Sequence, residues 1–297
     1  MADIRSFDLN LLRALAALLE TRSVSRAAER LGVTQPAVSG MLARLRDALD
    51  DPLFVRAQHG ILPTPRAEAM APQLAAVLAD VEALLQAEVF DPARAELTLR
   101  VAATDYAQRA VLLPFLKRLR DEAPGVRLSV RPVAPHFARQ LADGALDMAL
   151  VTPGMAPDSL RARKLFDETY LTLIRTGHLR RADVATLDGF CAFDHAIMSH
   201  DGTAFSGSTD AALGQLGRHR RVVASVPNFT ILIDLVRQTD MIALVPSRLV
   251  TAEPGVEAML PPLNVEGFTK LLTWHERLHR DPAQRWLRDN IATAASC

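Results

Sequence analysis

The chain has 297 residues, 49% of them hydrophobic and 23% charged, with 34 Lys plus Arg against 34 Asp plus Glu. That length accommodates two domains with separate cores, and the composition excludes a disordered, collagen-like or disulfide-built chain. A formal net charge of zero excludes a surface coated with basic charge, although a local basic face suffices for binding nucleic acid.

Cys191 and Cys297 are too few and too far apart for a disulfide framework, and they fit a reducing compartment. The opening run MADIRSFDLNLLRALAALLE mixes acidic residues and arginine into its apolar pattern, so it does not read as a signal peptide. No stretch is apolar for long enough to span a bilayer. The expected location is the cytoplasm, with no membrane partner.

The first third reads as helix. Over 7–19, Leu11, Leu15, Leu18 and Leu19 recur at helical spacing behind Asp8 as a cap. A second helix over 23–31 has Ser23 as its N-cap and Gly32 just past its end. Thr34 caps a third helix over 35–49, with Pro36 in its first turn, where a missing N–H costs little. Val38, Leu42, Leu45 and Leu49 form its buried stripe.

Asp51-Pro52 breaks the pattern, and 53–65 reads as two short strands around His59-Gly60. A long helix over 66–89 follows, with Met70, Leu74, Val77, Leu78, Val81, Leu84 and Leu85 along one stripe. On a lone helix that stripe would be exposed, so a partner helix is implied. From Leu97 the pattern changes to alternating strands and helices, which predicts an α/β domain with largely parallel sheets. Strands are expected near 97–103, 126–132, 146–151, 196–199, 221–225, 241–245 and 270–274, and the final helix over about 282–292.

Two short helices joined by a glycine turn, the second opening Thr-Gln-Pro-Ala-Val-Ser, form a helix-turn-helix candidate. The second helix must bring small or polar groups into the major groove at its N-terminal end, and Gln35, Ser39 and Arg44 are placed to do so. A glutamine amide pairs with an adenine edge, a serine reaches a base or a phosphate, and the helix terminus suits a phosphate. Arg26, Arg30, Arg56 and Arg66 supply backbone contacts from the flanking helix and hairpin. The same pattern also describes a plain helical bundle.

The run SFDLNLLRALAALLETRSVSRAAERLGVTQPAVSGMLARLRDALDDPLFVR, followed by LPTPRAEAMAP, resembles the DNA-binding region of LysR-type regulators, particularly the nodulation and aromatic-catabolism branch. The resemblance rests on Ser-Val-Ser-x-Ala-Ala, Thr-Gln-Pro-Ala-Val-Ser, Asp-Pro-Leu-Phe-Val-Arg and Thr-Pro-Arg-Ala. It implies a winged helix-turn-helix over 1–65, a dimerising linker helix over 66–90 and an effector-binding domain over 91–297. Thr34, Gln35, Pro36 and Ser39 then belong to the groove-reading helix, and Arg56 to the wing. Gly40 departs from the pattern, where relatives place a longer polar side chain, and it weakens the helix by ~1 kcal/mol relative to Ala.

LTLRVAATDYAQ, LPFLKRLRDEAPGVRLSV and GALDMAL resemble the first lobe of the periplasmic-binding-protein-like domain of the same regulators, about 95–166 and 269–297. SHDGTAFSGSTDAALGQLGRHRRVV and SVPNF resemble its second lobe, about 167–268. The fold class implied is a multidomain α+β and α/β protein. Thr104 and Asp105, at a strand-to-helix turn, are expected to face the cleft between lobes, and the small-residue loop of His200, Gly202, Thr203 and Phe205 to hold a carboxylate. His136, Phe137, Phe205 and Phe229 complete a pocket for an aromatic or carboxylate effector, unless the phenylalanines are core, and His200 is the preferred candidate.

His275-Glu276-x-x-His279 matches a zinc-protease pattern, but it starts at a strand end, where the two histidines would straddle strand and loop. No G-x-S-x-G elbow or phosphate-binding glycine motif is present. The reading is a regulator rather than an enzyme, without metal or cofactor. Its expected partners are double-stranded DNA, a small-molecule effector, a second copy as homodimer or homotetramer, and RNA polymerase.

Overall fold

The computed structural model describes residues 7–58, 60–85, 90–250 and 253–296; His59, Cys297 and positions 86–89 of the expected long helix lie outside them. The chain divides into two compact units, 1–88 and 89–297.

In the first unit α1 (Asn10–Thr21) begins later than the apolar pattern predicts. Asp8 acts from two residues ahead, its Oδ1 accepting the Asn10 N–H at 3.0 Å. Ser23 accepts the Arg26 N–H to start α2 (Val24–Leu31), and Gly32 ends it at φ 68°. α3 (Gln35–Leu49) follows Thr34, whose side chain makes no capping bond. Leu11, Leu15, Leu18, Ala27, Val38 and Leu45 bury against one another as the core of this unit.

Strands β1 (Phe54–Ala57) and β2 (Gly60–Pro63) pair as an antiparallel hairpin. The Ile61 N–H donates to the Arg22 carbonyl at 3.1 Å, and a Cβ on Gly60 would overlap that same oxygen. Glycine at position 60 is therefore a condition for docking the hairpin on the end of α1. In α4 (Pro65–Leu85), Ala67 and Leu74 are buried and Met70 and Leu78 pack beside them, but Val77, Val81, Leu84 and Leu85 are exposed.

The second unit opens with β3 (Thr98–Ala102), α5 (Asp105–Ala107), a π turn (Gln108–Leu112) and α6 (Leu113–Glu122). β4 (Arg127–Arg131), α7 (Phe137–Asp143), β5 (Met148–Val151) and β6 (Arg161–Glu168) complete the outward path through the first lobe. The second lobe contains β7 (Tyr170–Arg175), α8 (Leu187–Cys191), β8 (Asp194–Met198), α9 (Ser208–Gln215) and β9 (Arg221–Val226). It continues with α10 (Phe229–Gln238), β10 (Ala243–Pro246) and β11 (Val256–Met259). β12 (Phe268–Trp274) and α11 (Pro282–Ala295) return to the first lobe.

The first lobe has a sheet of order β4-β3-β5-β12-β6. In the second, β7 lies between β10 and β11, and a bridge from His195 to Ile242 brings the β8–β9 pair alongside. Sheets are mixed, which corrects the expectation of largely parallel ones. β3–β4, β3–β5 and β8–β9 are parallel, whereas β12 runs antiparallel to β5 and β6, and β7 to β10 and β11. β12 is the strand on which the chain comes back from the second lobe, and it runs opposite to the departing β6.

The crossovers lie side by side. A Cβ on Gly267 would overlap the Glu168 carbonyl oxygen, so only glycine fits there. Glu168 is buried, and its carboxylate accepts from the Thr169 N–H at 2.9 Å, the Ser247 N–H at 3.1 Å, the Ser247 hydroxyl at 2.5 Å and the Tyr106 hydroxyl. Lys270, also buried, has its ammonium 5.3 Å from the centre of the Tyr106 ring, and burial lowers its pKa to about 8 against the pull of Glu168.

Another buried ionisable group sits in the second lobe. The Arg220 side chain bonds Asp210 twice, at 2.9 and 2.8 Å, and its remaining nitrogen lies 3.3 Å from His195 Nδ1. A guanidinium only donates, so Nδ1 is the acceptor and the Nε2–H donates to the Phe190 carbonyl at 2.9 Å. Burial and the neighbouring Arg220 cation lower the His195 pKa to about 4, against Asp210 and Asp194, which pull the other way. Between pH 6.5 and 4 the unfolded chain therefore binds the extra proton, and stability falls as pH falls. In urea unfolding of wild type and His195→Gln, the stability difference is expected to shrink by about 3 kcal/mol from pH 7 to pH 4. A difference independent of pH would show that His195 titrates in the folded protein as it does in the unfolded chain, and that burial does not hold it neutral.

Candidate nucleic-acid interface and ligand cleft

The N-terminal end of α3 is bare. Thr34, Gln35, Pro36, Ser39 and Gly40 are all exposed, while Val38 and Leu42 on the opposite side fix the helix to the core. The Ser25 hydroxyl donates to Gln35 Oε1 at 3.3 Å, so α2 orients the amide and leaves its NH₂ group pointing elsewhere. Sequence reasoning passed over Ser25.

The arginines expected to meet phosphates are spread over the unit, with Arg66 at the other end of α3. Arg44 pairs with Asp8 at 3.0 Å and Arg30 with Glu20 at 2.9 Å. Arg26 donates to the Thr21 carbonyl at 2.6 Å and Arg66 to the Asp50 carbonyl at 3.5 Å. Arg56 is exposed on β1. All of these arginines lie on the surface of the first unit. Arg46 does not belong with them, because its guanidinium holds the carbonyls of Pro52 and Phe54 at 2.7 and 3.0 Å.

In the second unit a cleft of about 650 Å³ opens between the lobes. It lies where parallel strands end: Ala103, Thr104 and Asp105 follow β3, Pro132 to Pro135 follow β4, His200 and Asp201 follow β8, and Pro227 and Asn228 follow β9. Ligands of open α/β sheets bind outside the carboxyl ends of the strands for a geometric reason, since loops there turn backbone and side-chain polar groups toward one crevice. Phe137, Val133 and Met155 supply apolar wall, and Gln108 and His200 supply polar tips.

Residues 9–68 match the family described as bacterial regulatory helix-turn-helix protein, lysR family, and residues 93–296 match the LysR substrate binding domain. The chain belongs to the LysR family. SyrM 1 of Sinorhizobium fredii, an HTH-type transcriptional regulator, is 34% identical over 296 residues, covering 99% of this chain and 87% of its own length. The HTH-type transcriptional activator NahR of Pseudomonas putida is 35% identical over 294 residues, covering 96% of this chain and 97% of NahR. Among solved structures, the probable transcriptional regulator PA0477 of Pseudomonas aeruginosa aligns over 97% of both chains with a TM-score of 0.60 and 33% identity. This LysR-family chain is thus a DNA-binding transcription regulator with an effector-binding domain, and not an enzyme. No helix among the described residues is long and apolar enough to cross a membrane.

Of the residues expected in the effector pocket, Thr104, Asp105, Phe137 and His200 line the cleft. His136, Gly202, Thr203, Phe205 and Phe229 do not. Phe229 is buried in the hydrophobic core beside Tyr106, with ring centres 6.3 Å apart, because the apolar face of α10 turns inward. Phe205 is 55% exposed on its loop, and His136 is exposed just ahead of α7. The loop expected to hold a ligand carboxylate already holds its own, since the Thr203 N–H donates to Asp201 at 3.0 Å. Gln108, Asp201, Met155 and the Pro132–Pro135 and Pro227-Asn228 segments were missed; the placement of the last two at strand ends was the available signal.

The zinc-protease pattern resolves into structural roles. His275 accepts the Arg277 N–H at 3.3 Å, Glu276 pairs with Arg161, and His279 stacks on Trp274 with ring centres 6.0 Å apart. Among the described residues no three His, Cys, Asp or Glu side chains are grouped to hold a metal.

A Cβ on Gly40 would meet nothing within 4 Å, so no packing constraint requires glycine in the middle of α3. Gly40→Ala should raise the stability of the first unit by roughly 0.5–1 kcal/mol in thermal unfolding, the helix-propensity difference alone. A loss of stability would reveal a backbone requirement at that position.

Proposed function

We propose that this regulator acts as a homodimer that reads an interrupted palindrome through α3, under the control of a compact molecule bound between the lobes. The functional modules are the winged helix-turn-helix over 1–65, the linker over 66–90 and the effector domain over 91–297. The observation carrying this reading is that one chain combines an exposed, pre-oriented Gln35 at a helix N-terminus with a roomy cleft at converging strand ends.

In this reading Gln35 pairs with an adenine edge, and Ser39, one helical turn on, reaches the same groove. Thr34 and Pro36 shape the entry of the helix. Arg26, Arg30, Arg44, Arg56 and Arg66 meet phosphates, which position the protein without reading sequence. Thr104, Asp105, Phe137 and His200 face the effector, with His200 offering a donor or an acceptor according to tautomer. Ligand-dependent repacking of the lobes changes how protomers are arranged. That alters DNA bending and the access of RNA polymerase, provided the ligand binds the two arrangements unequally.

The dimer forms through α4. Met70, Leu74, Val77, Val81 and Leu84 follow alternating spacings of four and three, the seam of a coiled coil, and the half beyond Val77 finds no cover in its own unit. A dimer of dimers follows if effector domains pair as well. Cytoplasmic location accords with DNA as the target.

Fluorescence anisotropy against the chain's own upstream DNA, with random DNA as competitor, tests the reading. Gln35→Ala should weaken binding to the preferred site by about 1–3 kcal/mol and relax discrimination there. Equal losses on specific and random DNA would remove Gln35 as a base reader. For the dimer, Val81→Glu should reduce the mass seen in sedimentation equilibrium from that of two chains to that of one, because a carboxylate cannot be desolvated in the seam. An unchanged dimer would move the interface away from α4.

A further inference from the structure

We infer that the cleft carries its own carboxylate ligand, Asp105, and therefore selects against carboxylate effectors in favour of uncharged or cationic molecules that present hydrogen-bond donors. This deepens the proposed function and rests on the cleft being the effector site. Asp105 belongs to the first lobe, at the turn after β3, yet its Oδ2 accepts the backbone N–H of Phe229 at 2.5 Å, at the N-terminus of α10 in the second lobe. Free N–H groups and the positive end of the helix dipole make such a terminus the natural seat of an anion. Here the seat is filled from across the cleft.

Three further N–H donors, on α10 and the 200–207 loop, are engaged by groups of their own segments. The Ile231 N–H is taken by the Asn228 side chain at 2.9 Å, the Thr203 N–H by Asp201, and the Ala204 N–H by the Ser199 hydroxyl at 3.3 Å. Asp201 lines the cleft with its carboxyl held below the usual range by the Thr203 N–H, so it stays ionised. Among the described residues lining the cleft there is no lysine or arginine. An incoming carboxylate would meet two like charges and no free cation. A hydroxyl, amide or ammonium would meet acceptors on Asp105 and Asp201, with Gln108 and His200 on the cleft wall.

The same contact is a latch. Asp105 joins the lobes in the lining of the cleft, and its neighbour Tyr106 reaches the buried Glu168 at the crossover. A ligand donor that bonds Asp105 competes with the Phe229 N–H for that carboxylate, so occupancy of the cleft and the hold between lobes are coupled through one side chain.

Chemical rescue tests the inference on the full-length protein, with sodium acetate as probe, acetamide as its uncharged match and sodium chloride fixing ionic strength. Asp105→Ala vacates the seat, and acetate at tenfold its dissociation constant should then raise the melting temperature by roughly 2–4 °C. Wild type and Asp105→Asn, whose amide oxygen still accepts the N–H, should not respond to acetate, and acetamide should not rescue. Equal acetate shifts in wild type and Asp105→Ala would overturn the inference, and so would no shift in the alanine variant. Asp105→Ser replaces it if the alanine variant does not fold. As an independent check, hydrogen exchange at the Phe229 amide of wild type should be slow, and exchange as fast as in an exposed loop would overturn the seat. DNA affinity of the same proteins separates the two levels. Selective rescue with unaltered operator binding supports the carboxylate seat while removing the cleft as the control site.

Discussion

Everything in the effector unit hangs on the buried carboxylate of Glu168. The chain leaves the first lobe at this residue, and it comes back at Gly267 and Phe268 directly beside it. An unpaired carboxylate in such a place would cost several kcal/mol. Glu168 escapes that cost by drawing a hydrogen bond from each party to the crossover: Tyr106 from the first lobe, Ser247 from the second, and the linking backbone at Thr169. Lys270 adds its charge from the returning strand. Because the acceptor is shared, neither lobe can rotate far about the crossover without stranding a buried polar group. The knot behaves as a pivot rather than a spring.

The cleft lies next to this pivot, since Asp105 lines the cleft and the adjacent Tyr106 bonds Glu168. Thr104, Asp105 and Tyr106 form one turn with three consecutive jobs. The Thr104 hydroxyl oxygen accepts the Ala107 N–H and starts the helix; Asp105 crosses to α10; Tyr106 anchors in the pivot and packs edge-on against Phe229. Phe229 thus receives both neighbours, one through its backbone and one through its ring. A second bond between lobes, the ion pair of Arg109 with Glu253, comes from the π turn that follows. The local over-wide turn accords with a helix start whose side chains must serve two lobes at once.

The parts of this arrangement legible in sequence are those set by local chemistry. Ser23 and Gly32 bracket α2 as their side-chain oxygen and missing Cβ require, and the stripe of Val38, Leu42 and Leu45 names the buried face of α3. Strand β6 was not anticipated: its RARKLFDE carries charge at most positions because it is an edge strand with little to bury. The antiparallel return of β12 depends on where the chain goes between residues 168 and 268, which no local pattern encodes. Asp105 was expected at the cleft from its place in a strand-to-helix turn, and what it contributes there is a carboxylate bonded across the lobes. That role exists only through residue 229, and Phe229, an aromatic that invites a pocket reading, acts through the one atom every residue type except proline shares.

The balanced charge of the chain acquires a physical meaning on the DNA-binding unit. Arg30 and Arg44 each rest against an acidic partner, Glu20 and Asp8, in pairs exposed to water. Exposed pairs contribute about 0–1 kcal/mol, so a phosphate displaces the carboxylate at little cost. Until then the partner orders the guanidinium and reduces the field that draws in any polyanion. Arg46 on the same helix holds two hairpin carbonyls, and moving it to a phosphate would undock β1. The division therefore follows what each cation leaves behind: a solvated carboxylate in one case, and two carbonyls at the start of the hairpin without their shared donor in the other. Non-specific affinity scales with the number of cations released to phosphates. A face whose arginines are partly neutralised binds random DNA weakly, and under the proposed reading more of its grip comes from groups such as Gln35.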